Sequence, residues 1–333
     1  MSSILWIFRN KADGRLRSLW RMLVFGLFFL LFLAFQTQVF LVLNDKLLAG
    51  VDEGTETLIG VNIAEWELLI AVLAAIFTVG RYLDRRSLCE YGLRFSRRWW
   101  ADLGFGLLLG AVLMTGIFLT EYMLGWVTIR GTFESAAALP FAIAILLALS
   151  LFVAGGIFEE LLFRGYLLQN LAEGLHFSFW KPVYALILAW VIASIWFGLA
   201  HVLNPEASPV STLNIVLAGL LLGLGYILTG DLAIPIGLHM TWNFFQGNVF
   251  GFPVSGAKLN SVTLVAINQQ GPALWTGGAF GPEAGLLAIV AITIGALLML
   301  GWVNWRYGGI QLQISIPQPP QQKTSGAVTT PDA

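Results

Sequence analysis

Long apolar runs alternate along the chain with short polar breaks, and each run is about the length a helix needs to cross a bilayer. Roughly 18 to 25 apolar residues wound as helix cover about 30 Å of hydrocarbon. Taken in turn, the runs predict spans near residues 19–43, 66–84, 103–126, 140–171, 183–203, 212–229, 232–250 and 285–305. The sustained two-residue alternation of a β-barrel is missing. The predicted fold is therefore all-α, a polytopic membrane bundle of about eight transmembrane helices.

The polar breaks divide the chain further. Residues 1–18 form a basic interfacial segment, in which Arg9, Lys11, Arg15 and Arg17 stand among apolar and aromatic residues. The run behind them is too long for a signal peptide and lacks a small-residue cleavage site, so an uncleaved first span is expected. Residues 19–126 hold the amino-terminal helices and residues 140–250 the core with the chemistry. Residues 44–65 read as an acidic external loop. Residues 251–284, rich in Gly, Pro and Asn, read as an external loop ordered only in part. Gly281-Pro282-Glu283 looks like a helix start, with an acid at the positive end of the dipole, ahead of the last helix at 285–305. The Pro-, Gln-, Thr- and Ser-rich residues 311–333 are expected to be a disordered tail.

Composition agrees with a lipid setting. The chain is 57% hydrophobic and 11% charged, with a mean hydropathy of +0.79. A net charge of −1 gives no reason to expect a nucleic-acid partner. The lone Cys89 excludes an internal disulfide and a multi-thiolate metal site. With a cytoplasmic amino terminus, fifteen of the eighteen Lys and Arg residues fall on the inner side, leaving only Lys46, Arg130 and Lys258 outside. By the positive-inside rule this predicts a multi-pass protein of the plasma membrane with both termini cytoplasmic.

Within this apolar chain, Phe158-Glu159-Glu160-Leu161-Leu162-Phe163-Arg164 puts two acids and a base inside a span. An ionisable group at membrane depth costs at least ~2.5 kcal/mol, so it points to function. Glu160 and Arg164 are four residues apart and share a helix face, whereas Glu159 points about 100° away. Glu160 is thus the expected ion-pair partner of Arg164, and Glu159 the carboxylate that faces a cavity, with Gly155 and Gly156 on its face. Two later spans carry polar groups at helical spacing: Phe197 with His201, and His239 with Asn243. Singly, each could be packing glue. An acid pair, two imidazoles and an amide on three spans together suggest one shared site. On the plain span map Glu159 lies two-thirds down the fourth span and His201 near the far end of the fifth. A shared site therefore requires the fourth helix to continue through Leu171 and the fifth to begin beyond the membrane surface.

In order, Glu159-Glu160 with Arg164, Phe197 with His201, and His239 with Asn243 resemble the EExxxR, FxxxH and HxxxN motifs of the CPBP (Abi) intramembrane protease family, which includes the type II CAAX prenyl endopeptidases. The resemblance covers roughly residues 140–250. It implies an endopeptidase that acts on a membrane-associated protein or peptide within the lipid bilayer. Glu159, helped by His201, would activate water, His239 and Asn243 would stabilise the oxyanion, and Glu160 with Arg164 would support the site. It leaves the cofactor open between none and a Zn²⁺ held by Glu159, His201 and His239 with water in the fourth position. Two other classes carry the same residues: a proton- or ion-coupled transporter, and a non-catalytic immunity or scaffold member of the family.

Overall fold

The structure, a computed structural model, describes residues 5–10 and 13–319. Its main elements are α1 (Ser18–Leu47), α2 (Glu53–Asp84), α3 (Arg97–Met123), β1 (Val127–Ser135), α4 (Phe141–Gly174), α5 (Pro182–Ala200), α6 (Pro209–Thr229), α7 (Ala233–Phe244), β2 (Val262–Gln269) and α8 (Leu286–Tyr307). All these helices except α7 are long and apolar enough to cross a membrane, seven among the described residues. Leu27, Leu31, Leu108 and Leu297 are among the large apolar side chains left on the outside of the bundle, where acyl chains would cover them. The protein is an integral, multi-pass α-helical membrane protein.

The predicted seventh span is the exception for a packing reason. α7 has 12 residues, followed by a five-residue π turn at Phe245–Val249. Its residues from Ala233 to His239 are all buried. A helix that is apolar all round belongs inside a bundle, and α7 packs against α3, α4 and α6. Its approach to α3 is set by glycine. A Cβ on Gly237 would stand 2.7 Å from the Leu107 nitrogen, and one on Gly110 would stand 2.8 Å from the Trp242 nitrogen. Gly106 and Gly110, one turn apart on α3, and Gly237 facing them let the two backbones touch in this way. The Thr241 hydroxyl fixes the register by donating to the Leu107 carbonyl at 2.8 Å.

Three polar segments differ from expectation. Most of the supposed loop 44–65 is helix, because the Asp52 carboxylate accepts from Thr55 N at 3.0 Å and starts α2 at Glu53. The segment expected to be a partly ordered loop, 251–284, is structured. Its strand β2 pairs antiparallel with β1, from Val127 opposite Gln269 to Ser135 opposite Val262, with a slip between Ile129 and Gly131. Gln269 ties this ribbon to the end of α3 by donating to Glu121 at 2.8 Å. The first part of the tail is also packed: Gln313 N donates to the Ile227 carbonyl at 2.8 Å, and Ile316 is buried. Residues 320–333, the remainder of the expected disordered tail, lie outside the described residues.

The amino-terminal segment departs most from its expected interfacial role. Arg15 and Arg21 are buried. Glu173, in the last turn of α4, accepts from Arg15 at 2.6 Å, from Arg21 at 2.8 Å and from Arg86 at 2.9 Å. Arg21 also meets Asp84, at the end of α2, at 3.0 Å. The Tyr91 hydroxyl donates to the same Asp84 at 2.7 Å. Charges this deep persist only when paired and hydrogen-bonded. The cluster fastens the ends of α1, α2 and α4 together, and so fixes how far along α4 each residue sits.

Candidate active site

α4 is α-helical to Glu160 and then continues as a π turn over Leu161–Leu168. Such turns recur at functional sites because they re-aim side chains within a continuous helix. α4 also runs past Leu171 to Gly174. Measured from that end, Glu159 is about 22 Å deep, and His201, measured from the start of α5, is about 28 Å deep. Side chains can span the difference of about one turn.

The two adjacent acids have different surroundings. Glu160 is fully buried, and its Oε1 accepts from Arg164 Nη1 at 2.7 Å and from His239 Nδ1 at 2.8 Å. Arg164 is held on two other sides. Its Nη2 donates to the Gly219 carbonyl at 3.2 Å, and its guanidinium lies 4.2 Å over the Phe197 ring. Glu159 retains 23% side-chain exposure, and its Oε2 stands 3.9 Å from His239 Nε2 with no hydrogen-bond partner. His239 therefore bridges the pair, with one ring nitrogen on Glu160 and the other towards Glu159.

His201 caps the end of α5, where its Nδ1–H donates to the Phe197 carbonyl at 2.8 Å. That bond fixes the tautomer and leaves Nε2 as an acceptor. The Phe197 ring lies beside both imidazoles, with centroids 5.0 Å from His201 and 6.0 Å from His239. Glu159, His201, His239 and Asn243 all line one cavity of about 440 Å³. Its other walls are mainly apolar, from Leu151, Phe152, Ile215 and Leu238. Glu160 and Arg164 sit behind the wall and make no contribution to its surface.

The same cavity holds polar groups that sequence reasoning missed. Glu65 reaches it from α2, and Asn204, Ser255 and Glu283 close one side. A span drawn from residue 66 leaves Glu65 outside the membrane, although an acid at the head of the run Leu68–Ile76 is the available signal. The sequence pattern gives Glu283 to a helix dipole. Pro282–Ala284 does form a short 3₁₀ turn ahead of α8, which starts at Leu286, but the Glu283 carboxylate accepts from the Ser255 nitrogen and hydroxyl and from Gln246. Burial pushes the Glu283 carboxyl up, against the pull of Ser255, Gln246 and His201. Asn204, three residues beyond His201, donates to the Ser255 carbonyl at 3.0 Å.

Residues 140–245 match the family described as type II CAAX prenyl endopeptidase Rce1-like. The core of this chain is related to that family. No curated protein and no solved structure matches the chain. The CAAX-protease-like core contains Glu159, Glu160, Arg164, Phe197, His201, His239 and Asn243, whereas Glu65 and Glu283 come from outside it. The match supports a protease in general. Zinc is the candidate cofactor on Glu159, His201 and His239. Among the described residues no three His, Cys, Asp or Glu side chains stand together so as to hold a metal ion. As arranged, the three donors do not close round one point.

Proposed function

We propose that this chain is an intramembrane endopeptidase that hydrolyses a peptide bond of a membrane-associated protein or peptide, as CAAX-type proteases do. One contrast carries the reading. Of two neighbouring carboxylates, Glu160 is fully buried behind the wall with one oxygen held by both Arg164 and His239, while Glu159 has no hydrogen-bonded cation and lines a cavity with two imidazoles and an amide. An enzyme needs such a base and a binder does not.

In this reading Glu159 takes a proton from water as the oxygen attacks the carbonyl carbon. His201 Nε2 orients that water. A proton on His239 Nε2 and the Asn243 amide meet the negative charge that develops on the carbonyl oxygen, an interaction whose loss typically costs ~10²- to 10³-fold in kcat. Glu160 and Arg164 hold the His239 ring in place. The apolar walls admit a substrate segment delivered from the bilayer and strengthen each of these interactions. The reaction runs on side chains alone, so cleavage by the purified protein is expected to survive a chelator.

The test is a comparison of membranes from cells with the wild-type protein and with Glu159→Gln at equal abundance. Accumulation of an uncleaved membrane protein or peptide in the variant supports the proposal. Unchanged processing combined with an altered proton or cation flux would sink it in favour of a transporter.

A further inference from the structure

Cleaving an amide requires two proton movements, one off the attacking water and one onto the leaving nitrogen, because an amide anion does not depart by itself. The endopeptidase reading assigns Glu159 as base to the first and assigns no residue to the second, and any role for a second group rests on that reading. The cavity offers several candidates for the second movement. Glu160 is held by Arg164 and His239, and Glu283 by Ser255 and Gln246. His239 and Asn243 are committed to the carbonyl oxygen, and His201, with Nδ1 on the Phe197 carbonyl, turns Nε2 to the attacking water. Glu65 remains. It lines the cavity from α2 and lies within electrostatic reach of Glu159 and His239.

Its placement depends on a glycine. A Cβ on Gly155 would stand 3.1 Å from Glu65 Oε2, so the missing side chain at 155 leaves room for the carboxyl. Gly155 is one helical turn before Glu159 on α4, so the Glu65 carboxyl lies against the same helix face as the base. Glu159, His239, His201 and Glu283 are the other titratable groups around this space, from α4, α7, the end of α5 and the turn before α8. Glu65 and Glu159 thus present two carboxyls to one apolar cavity from facing helices. Paired acids of that kind divide the work into one base and one acid.

We infer that Glu65 is the proton donor to the leaving amine. The water oxygen bonds to the carbonyl carbon while Glu159 receives its proton. The carbon–nitrogen bond then breaks with both its electrons going to nitrogen, which takes the proton from Glu65. Transfer of the proton from Glu159 to Glu65 through the next water restores the starting state. No oxidant, reductant or further reactant is needed.

The experiment uses the full chain in lipid nanodiscs and two substrates that share one acyl portion. The first is a peptide amide, and the second a nitrophenyl ester whose phenolate leaves without a proton. Glu65→Gln is expected to lower kcat on the amide by about 10²- to 10⁴-fold with KM unchanged, and to leave ester hydrolysis within about twofold of wild type. Glu159→Gln should lose both. Equal slowing of both substrates by Glu65→Gln, or of neither, overturns the inference. Where Glu65→Gln is too poorly folded to assay, Glu65→Asp decides. A wild-type ester rate with a slowed amide supports the proposal, and proportional loss of both refutes it. A wild-type protein that cleaves neither substrate removes the endopeptidase reading itself, and this inference with it.

Discussion

Glu159 and Glu160 are neighbours in sequence and almost opposite in environment, so the same substitution should act on different properties at the two sites. Glu160→Gln leaves the Arg164 guanidinium buried beside an uncharged amide and removes the anion that orients His239. Breaking a buried pair from one side typically costs about 3 to 5 kcal/mol. We expect Glu160→Gln to lower the unfolding midpoint in detergent clearly, while Glu159→Gln leaves it nearly unchanged and abolishes cleavage. A second residue-scale prediction concerns Asp231, in the turn between α6 and α7. Burial pushes its carboxyl up to about 6, against the pull of Arg94 at 3.5 Å. The folded value lies above the ordinary one, so the folded state gains from the proton at low pH and loses that gain as pH rises through about 6. The stability of wild type relative to Asp231→Asn should therefore fall between about pH 4 and pH 7, as read from thermal unfolding of both proteins. The motif side chains were legible because acids, imidazoles and amides stand out in an apolar run. Glu65 was missed because it sits at the edge of such a run, where composition cannot separate the last loop residue from the first membrane residue.

At the scale of elements, the cavity depends on the contact between α7 and α3. Gly237 leaves no room for a methyl group beside Leu107 N. Gly237→Ala should push α7 away, at about 1 to 3 kcal/mol for an overpacked contact. Because His239 follows two residues later, cleavage should fall together with stability, measured as activity per folded molecule after a heat step. Gly104 on the same helix α3, with nothing within 4 Å of an added Cβ, is the control, and Gly104→Ala should be tolerated. Seven of the helices follow from run length alone, yet α7 reads as a full span in sequence and is a shorter buried helix in the fold. Burial and lipid exposure use the same apolar residues, and only the partners distinguish them. The β1–β2 ribbon escaped notice for a related reason. Val127, Ile129 and Phe133 do alternate with polar residues, but one short strand shows its meaning only when its partner, more than a hundred residues away, is known.

For the whole molecule, the end opposite the amino-terminal half of α4 is closed by Arg15, Arg21, Arg86, Asp84 and Glu173. Glu173→Gln removes an acceptor shared by three arginines and leaves their charges buried with only Asp84 and Asp13 nearby. Its cost should exceed that of any single exposed ion-pair deletion, which is at most about 1 kcal/mol, and protease resistance in membranes should drop accordingly. Positive residues in the sequence indicated a side of the membrane, but nothing in their spacing showed that Arg15, Arg21 and Arg86 turn inward to one acid on a distant helix.

This network also sets a schedule for biogenesis. Arg21 and the Glu173 carboxylate it bonds are 152 residues apart, and a ribosome adding about 5 to 20 residues per second takes about 8 to 30 s to make that stretch. Throughout that interval a nascent chain holds arginines at the margin of the bilayer with part of their counter-charge not yet synthesised. Chains arrested before α4 is complete should therefore be recognised by membrane quality control and cleared, while those arrested just after Gly174 should persist longer.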